Sequence, residues 1–254
     1  MFGAQFGGYG PSPRPQAERV LVSLATYKER ENLERLLPAI RAQLPDADIL
    51  VVDDNSPDGT ADLINALAEQ DPRIHLLLRA GKLGLGTAIL ASMHYAIREG
   101  YDLFVNMDAD FSHHPRYLPS LLAGMARHDV MIGSRYIPGG GTVDWPLNRL
   151  MISRSVNALV RFLFRFRAKD ISGGYRCYRV AKLREALLDR LLSHGYSFQQ
   201  EVLYRCKKVG CRIGETPIIF EERRTGSSKV NLHESVRSLA LLLRLGVPSF
   251  FGQD

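Results

Sequence analysis

The chain has 254 residues, of which 45% are hydrophobic and 24% are charged, a composition that excludes collagen-like, disordered and disulfide-scaffold proteins. Its three cysteines, Cys177, Cys206 and Cys211, form no CxxC pair, so neither a zinc site nor a disulfide framework is expected and a reducing compartment is favoured. The net charge is +6, but residues 1–130 hold 12 basic and 17 acidic side chains whereas residues 131–254 hold 21 and 10. This segregation favours separate sites for a cation and for anions, with an ordinary solvated surface as the alternative.

The two ends of the chain are not expected to target or span a membrane. Residues 1–17 are rich in glycine and proline and lack the basic and apolar regions of a signal peptide, which predicts a flexible tail. The longest apolar stretch, Leu239–Phe251, is interrupted by Arg244 and Pro248 and is shorter than the ~20 residues of a spanning helix. We therefore expect a protein that is soluble or peripheral to a membrane.

Short apolar runs alternate with segments of helical period in the first half of the chain. The runs predict strands at 20–25, 49–52, 74–78, 103–106 and 130–132, and the periodic segments predict helices at 32–44, 58–70, 86–99 and 115–127. Asp58 is the expected cap of the second helix, and Gly100 is the expected stop of the third. The alternation predicts right-handed βαβ units and a mostly parallel sheet flanked by helices.

The pattern is less regular in the second half. It predicts a loop at 138–141, a helix at 147–166, a strand at 171–178, helices at 181–192 and 197–209, a strand at 213–222, a loop at 224–229 and a helix at 232–245. No linker is long enough to separate a second domain, so residues 18–254 are expected to form a single domain.

Carboxylates follow two of the predicted strands at the point where each strand ends. Asp53 and Asp54 come after the second strand, and Asp108 and Asp110 come after the fourth. Ligands of open α/β sheets bind beyond the carboxyl ends of the strands, and Asp108 and Asp110 share a face in an extended segment. The spacing therefore predicts a divalent cation site completed by phosphate oxygens and water, with turn residues or helix caps as the alternative.

Two glycine-rich nucleotide sites are disfavoured. The first strand is followed by Thr26–Glu29, without the glycines of a Rossmann dehydrogenase. Gly81, Gly84 and Gly86 lie after the third strand, and no glycine stands where the third glycine of that motif is required. No P-loop motif is present either. These absences favour a nucleotide held by a metal and acidic residues.

The motifs resemble those of GT-A-fold inverting glycosyltransferases, specifically the dolichol-phosphate (polyprenyl-phosphate) mannosyltransferase group. They read ATYKE (25–29), VVDDNSPDGT (51–60), GLG (84–86), MDADFSHHP (107–115), GSRY (133–136), DISGGYR (170–176), FQQE (198–201) and RTGSSK (224–229). They occur in the family's order from Arg19 to Leu245. The resemblance implies a GT-A, Rossmann-like α/β fold with a nucleotide-sugar-binding half at 18–134 and an acceptor-binding half, with a helical or hairpin extension, at 135–254.

The resemblance also implies roles for individual residues. Tyr27, Glu29, Val52 and Asp54 line the base and ribose, and the neighbouring Asp53 is turned to support the loop. The implied nucleotide-sugar site comprises Ala25, Tyr27, Glu29, Val52, Asp53, Asp54, Asp108, Ala109, Asp110, Ser112, Arg135, Arg224 and Lys229. Its implied metal ligands, for Mg²⁺ or Mn²⁺, are Asp108 and Asp110, its catalytic residues are Asp110, Arg224 and Lys229, and its acceptor-phosphate ligands are Arg135, Arg149 and Arg154.

Two departures from the family pattern bear on these roles. Ala25 and Lys28 stand where relatives usually have proline and asparagine, which affects the base contacts. Ser112 stands where some relatives have glutamine as a third metal ligand, so water is expected to replace it. His113 and His114 are interpreted as polar loop residues, with metal ligation as the alternative, and Trp145 as an anchor of the acceptor loop.

Residues 145–169 contain no acidic side chain and alternate arginines with apolar residues. This pattern favours a membrane surface and an anionic lipid headgroup. Phe162 and Phe166 add a shallow hydrophobic contact if they face outward, and the attraction is purely electrostatic if they face the core. The alternative is a core helix with solvated arginines. Nucleic-acid binding is a third interpretation, but no motif supports it.

The expected activity is transfer of mannose from GDP-mannose to a polyprenyl phosphate with inversion, by a metal-dependent enzyme on the cytoplasmic face of a membrane. A lipid phosphate is largely ionised at neutral pH and needs no strong general base. The alternatives are another nucleotide sugar, such as UDP-glucose, another acceptor, or an inactive lipid- or partner-binding subunit. A separate membrane subunit is a possible partner.

Overall fold

A computed structural model describes residues 18–186, 188, 191, 193, 195 and 197–221. The predicted tail at 1–17, the predicted loop at 224–229 and the predicted helix at 232–245 lie outside the described residues.

The described residues form a seven-stranded, mostly parallel sheet with helices on both faces. Its strands are β1 (Val20–Thr26), β2 (Asp48–Asp53), β3 (Ile74–Leu78), β4 (Leu103–Asp108), β5 (Val130–Ser134), β7 (Arg176–Arg179) and β8 (Ile213–Pro217). Their order is β3-β2-β1-β4-β7-β5-β8, and β7 is antiparallel to both of its neighbours. A small parallel pair joins β6 (Gly141–Val143) to β9 (Ile219–Glu221). The predicted α/β fold class is confirmed.

The helices pack on two faces of this sheet. They are α1 (Arg30–Gln43), α2 (Thr60–Gln70), α3 (Leu85–Arg98), α4 (Leu118–Gly124), α5 (Leu147–Phe164), α6 (Val180–Glu185) and α7 (Phe198–Lys208). Alternate strand residues enter two separate cores: Leu21 and Leu50 belong to one cluster, and Val22 and Val51 belong to the other. The central strands are continuously apolar because both of their faces are covered.

Two predicted boundaries differ from the structure for local reasons. α2 begins at Thr60 with Gly59 as its cap at φ +79°. The Asp58 carboxylate instead accepts hydrogen bonds from Thr60 N and Arg30 N, which ties the starts of α1 and α2 together. The predicted 171–178 strand shortens to β7 because the preceding segment is held by hydrogen bonds to the Arg176 side chain.

Other differences lie in the turns. The predicted loop at 138–141 contains the start of β6, and the predicted 213–222 strand divides at Ile218 into β8 and β9. The predicted 115–127 helix is a 3₁₀ turn at Pro115–Tyr117 followed by α4. Among the helices of the described part of the chain, none has the length and apolar character needed to cross a bilayer.

Candidate active site

The acidic strand ends lie side by side at the carboxyl edge of the sheet. β1 pairs in parallel with β2 and β4, and the register places Asp53 beside Thr26 and Asp108 beside Ala25. Polar loops after three adjacent strands therefore meet at one edge, where α/β sheets bind their ligands.

Asp53 points into the protein and supports the loop that follows β2. Its carboxylate is fully buried and accepts hydrogen bonds from Thr26 Oγ1 at 3.1 Å and Ser56 N at 3.0 Å. Ser56 Oγ in turn accepts a hydrogen bond from Lys28 N at 2.9 Å. The loops after β1 and β2 are thus joined through Asp53 and Ser56, and the predicted place of Asp53 in the nucleotide-sugar site stays a prediction.

Asp54 is held by an ion pair at the margin of the same edge. Its Oδ1 lies 3.1 Å from Arg79 Nη1, and both side chains are at most a tenth exposed. Its Oδ2 accepts a hydrogen bond from Leu83 N at 3.3 Å, while Arg79 Nη2 donates to Thr87 Oγ1 at 2.6 Å. Asp54 therefore fixes the segment that leads into α3.

The segment after β1 presents an aromatic ring beside positive charge. Lys82 Nζ lies 4.6 Å from the centroid of the Tyr27 ring, and Lys28 Nζ lies 5.7 Å from it. Glu29 Oε2 accepts a hydrogen bond from Asn32 Nδ2 at 2.6 Å at the start of α1. Lys28, one of the two departures from the family pattern, thus stands beside the predicted base-contacting tyrosine.

Two predicted contact residues have no accessible side chain. Val52 is fully buried and Ala109 is 4% exposed, because each packs into the core beneath the loops. Their side chains therefore shape the loops from below, and the predicted place of Val52 and Ala109 in the nucleotide-sugar site stays a prediction. Ala25 is only partly buried and lies directly beside Val52 in the sheet.

The Asp108–Asp110 loop is fixed by its neighbours. Ser112 donates hydrogen bonds to Asp110 Oδ1 from its backbone N at 3.1 Å and from its hydroxyl at 2.6 Å. Ser112 is 3% exposed. Its hydroxyl therefore orients Asp110, and the predicted place of Ser112 in the nucleotide-sugar site stays a prediction.

His113 supports the same loop from the core. It is 2% exposed, and its Nδ1 accepts a hydrogen bond from Asp108 N at 2.9 Å. Its ring stacks on Tyr175 with centroids 4.9 Å apart and meets the edge of Phe220 at 5.5 Å. His114 Nδ1 caps the 3₁₀ turn by accepting from Arg116 N, and its pKa is lowered by burial and by the Arg116 charge.

Backbone strain is concentrated at this edge. Among the described residues, five that are not glycine have positive φ. One of them is Arg165, and the other four are Lys28 (62°), Asn55 (57°), Phe111 (62°) and Asp144 (60°). Such conformations each cost of order 1–3 kcal/mol and collect at functional sites. The first three lie in the loops after β1, β2 and β4.

The two partly exposed carboxylates of this loop, Asp108 and Asp110, suit a divalent cation. Asp108 is a third exposed, and Asp110 is partly exposed. Within the described residues, no cluster of three acidic, histidine or cysteine side chains forms a closed metal cage. Mg²⁺ binds through one or two carboxylates and completes its shell with water and substrate phosphates, so this open pair suits a cation that arrives with a diphosphate.

Arg135 and Asp170 form a bidentate ion pair beside this loop. Arg135 Nε lies 2.7 Å from Oδ2 and Nη2 lies 2.7 Å from Oδ1, and both side chains are buried. Burial opposes ionisation of Asp170, but the hydrogen bonds and charge of Arg135 outweigh it and lower the Asp170 pKa. Because Nη2 also donates to Ser172 Oγ, Arg135 holds this part of the site together, and its predicted role as a phosphate ligand stays a prediction.

Aromatic rings and two further arginines extend the site toward α5. The guanidinium carbon of Arg149 lies 4.1 Å from the Trp145 ring centroid, and that of Arg135 lies 5.3 Å from it. Arg154 lies 5.8 Å from the Tyr136 ring. The predicted acceptor residues Arg149 and Arg154 therefore meet the site along the first turns of α5. Arg224 and Lys229 lie outside the described residues.

Comparison of the sequence with known protein families identifies the family of this chain. Residues 22–191 match the family model described as "Glycosyl transferase family 2". The chain belongs to glycosyl transferase family 2. It is a glycosyltransferase, as the motifs at the strand ends predict.

Relatives within this family cover most of the chain. It is 45% identical over 213 residues to the "Undecaprenyl-phosphate mannosyltransferase" of Micrococcus luteus, covering 84% of this chain and 88% of that protein. It is 42% identical over 241 residues to the "Polyprenol monophosphomannose synthase" of Mycolicibacterium smegmatis, covering 93% and 91%. The resemblance to polyprenyl-phosphate mannosyltransferases is confirmed.

Solved structures share the family 2 fold at lower identity. Glucosyl-3-phosphoglycerate synthase from Mycobacterium tuberculosis, in complex with phosphoglyceric acid, aligns with a TM-score of 0.67 at 17% identity, covering 91% of this chain and 81% of that one. Its complex with Mn²⁺, uridine diphosphate and glucosyl-3-phosphoglycerate aligns with a TM-score of 0.60 at 16% identity, covering 93% and 80%. These likenesses establish the GT-A fold.

Sequence reasoning missed three supporting residues of this glycosyltransferase: Asp170, His113 and Arg79. Asp170 stands within the DISGGYR motif and His113 within MDADFSHHP, so the motifs mark their importance without showing their partners. Arg79 has no comparable signal, because its partner Asp54 lies in a different loop.

Proposed function

We propose that this family 2 enzyme transfers mannose from GDP-mannose to a polyprenyl phosphate with inversion of the anomeric centre. The observation that carries the proposal is the 42–45% identity, over most of the chain, to two proteins named for mannosyl transfer to such lipids. Two surfaces support the proposal. The acidic edge of the sheet suits the cation and diphosphate of a sugar nucleotide, and the exposed apolar surface of α5 suits the chain of a lipid phosphate.

The donor lies at the carboxyl edge in this proposal. Tyr27 and Glu29 flank the base and ribose, and Asp54 fixes the adjoining segment. Asp108 and Asp110 would hold the cation, Mg²⁺ or Mn²⁺, and a solved relative bound to Mn²⁺ and uridine diphosphate supports this assignment. When bound, the cation supplies positive charge that offsets the charge of the leaving diphosphate.

Transfer is proposed as one in-line displacement. An ionised phosphate oxygen of the lipid attacks the anomeric carbon, the bond from that carbon to the diphosphate oxygen breaks, and GDP leaves with the electron pair. Retention would require a nucleophilic carboxylate beneath the sugar, and Asp53, Asp54 and Asp170 are each committed to buried partners. Arg224 and Lys229 are proposed to stabilise the departing diphosphate.

The acceptor is proposed to approach along α5. Four apolar side chains on this helix are more than three-fifths exposed: Leu147, Met151, Ile152 and Phe162. A contiguous apolar surface of this kind marks an interaction site, and Arg149 and Arg154 lie on the same helix where it leaves the active site. The lipid phosphate would meet these arginines while the chain lies against the apolar face.

The same face is proposed to rest on a membrane, on its cytoplasmic side. Phe162 is 65% exposed and suits a shallow contact with acyl chains. Phe166 is 7% exposed and packs against Phe164 in the core, so of the two phenylalanines only Phe162 is available for this contact.

A donor screen tests the proposal. Purified protein is incubated with a short polyprenyl phosphate, MgCl₂ or MnCl₂, and either GDP-mannose or UDP-glucose, and the lipid product is followed by mass spectrometry and its anomeric configuration by NMR. We expect a mannosylated lipid of inverted configuration from GDP-mannose. A glucosylated lipid, or transfer only to water-soluble acceptors, would replace the donor or the acceptor in the proposal, and a retained configuration would exclude the single displacement.

A further inference from the structure

A cavity with a strongly basic lining lies on the opposite side of the protein from the acidic edge. It has a volume of about 450 Å³ and lies at the amino ends of β5 and β8, where α5 ends. Its charged and titratable lining consists of Arg127, His128, Arg165, Arg167, Lys207, Cys211 and Arg212. The lining contains no aspartate or glutamate.

Ordinary structural roles account for two of these cations. Lys207 Nζ donates hydrogen bonds to the carbonyl oxygens of Phe164 and Arg165, which satisfies the end of α5. Arg212 donates to Asp129 from its backbone N at 2.8 Å and from Nε at 3.3 Å.

Arg127 and Arg167 have no such role. Both are exposed at the cavity, and among the described residues no carboxylate forms an ion pair with either of them. The pKa of Lys207 is lowered chiefly by burial and further by the neighbouring Arg165 and Lys208 charges. Like charges held around one cavity repel each other, and a bound anion removes that repulsion.

Arg165 is placed at the cavity by an unusual backbone conformation. It has φ +50° and ψ +44°, the left-handed conformation that glycine ordinarily occupies after a helix. The chain reverses there and returns along the cavity through Arg167. An arginine in place of glycine adds positive charge to the cavity at the cost of backbone strain.

We propose that this cavity binds a phosphate group, carried either by an anionic phospholipid headgroup or by a soluble phosphate compound. Guanidinium groups match phosphate oxygens in a bidentate geometry, and the volume falls in the range of small-molecule sites. α5 has 18 residues and is therefore ~27 Å long, so the cavity is too far from the transferase site to share its acceptor phosphate. The proposal does not depend on the donor or acceptor of the enzyme.

The test compares two variants of equal net charge. Arg127→Gln/Arg167→Gln removes two charges from the cavity, and Arg73→Gln/Arg98→Gln removes two surface charges elsewhere, from residues that pair with Asp46 and Glu99. Inorganic phosphate is titrated by calorimetry at constant ionic strength with a chelator present. Co-sedimentation is measured with phosphatidylcholine vesicles with and without phosphatidylglycerol. The variant Arg127→Lys/Arg167→Lys keeps the positive charges but loses the planar guanidinium groups, so it shows whether bidentate hydrogen bonds contribute to phosphate affinity.

We expect phosphate affinity to fall at least about tenfold in the cavity variant and to stay within about twofold in the control. If the source is a lipid, binding to phosphatidylglycerol vesicles falls by about fivefold per arginine in the cavity variant, beyond the effect in the control. Loss of phosphate affinity with vesicle binding equal to the control assigns a soluble phosphate compound. Equal phosphate affinity and equal vesicle binding in the two variants would overturn the proposal.

Discussion

The backbone N–H of Asp108 donates a hydrogen bond to Nδ1 of His113 at a distance of 2.9 Å. His113 is in turn stacked on Tyr175, which enters the sheet immediately before β7. The carboxylate proposed to hold the cation is therefore positioned from a buried aromatic stack. Small changes in that stack alter the direction of the Asp108 carboxylate without touching the donor.

His113→Ala is expected to weaken the metal dependence of the enzyme. Without the ring, Asp108 N loses its acceptor and the loop loses its packing on Tyr175, so the apparent affinity for Mg²⁺ or Mn²⁺ should fall by about 10–100-fold, as for other supports of metal ligands. The measurement is a metal titration of the transfer rate. His114→Ala, which removes a half-buried neighbour, is the matched control, and equal metal dependence of the two variants would contradict the role given to His113.

Asp108→Ala and Asp110→Ala are expected to abolish transfer while leaving the fold intact. Each removes one of the two carboxylates proposed for the cation, at loop positions outside the hydrophobic core, so we expect a loss of at least about 10³-fold in rate with an unchanged melting temperature. Asp46→Asn, which alters a carboxylate that is 95% exposed, controls for lost charge. Full activity of both alanine variants with a chelator present would refute the metal assignment.

Asp170→Asn is expected to lower stability and to change its pH dependence. The Asp170 pKa is lowered in the folded protein, so the ionised carboxylate stabilises the fold above the unfolded value of ~4, and this stabilisation is lost as pH falls from there toward the lowered folded value. Breaking the buried pair costs ~3–5 kcal/mol at neutral pH. Urea unfolding between about pH 3 and pH 7 measures both effects. If the free energy of unfolding of the variant fell with decreasing pH as steeply as that of the wild type, ionisation of Asp170 would not contribute to the pH dependence of stability.

The variant Met151→Gln/Phe162→Gln is expected to bind vesicles about tenfold more weakly, because both side chains are exposed on α5. Burial of each large apolar group in lipid is favourable by ~1.5–3 kcal/mol at most. Co-sedimentation near 1 M salt isolates this contribution, since the Debye length there is ~3 Å. Leu78→Gln/Leu83→Gln removes two comparably exposed leucines elsewhere. If both variants bind vesicles equally, α5 is not the apolar contact surface.

The sequence was sufficient to predict the acidic edge, because parallel strands end at a common edge and both Asp pairs follow apolar runs. It predicted nearly all of the βαβ elements for the same reason: their periodicity is local. It did not predict the partners that hold these acidic side chains. Asp53 and Asp54 are adjacent, chemically alike and both buried, but Asp53 accepts from Thr26 whereas Asp54 pairs with Arg79.

Partners distant in the chain were also beyond the sequence. Arg135 and Asp170 are 35 residues apart, and an arginine beside a predicted phosphate site is as compatible with an anion as with a buried carboxylate. His113 and His114 are neighbours of identical type, yet one is buried against Tyr175 and the other caps a turn. These outcomes depend on tertiary packing, which no local pattern contains.

The position of β7 has a consequence for how the chain folds during synthesis. Among the described strands, β5 is bonded to β7 and β8 and not to β4, so residues 18–134 end in a strand whose partners lie 40 or more residues further on. Until Arg176–Arg179 emerges, β4 is an open sheet edge, which is prone to association with other chains. A fragment ending at residue 134 would therefore leave β5 without a neighbour to pair with, and we expect residues 18–134 not to fold independently of the strands that follow.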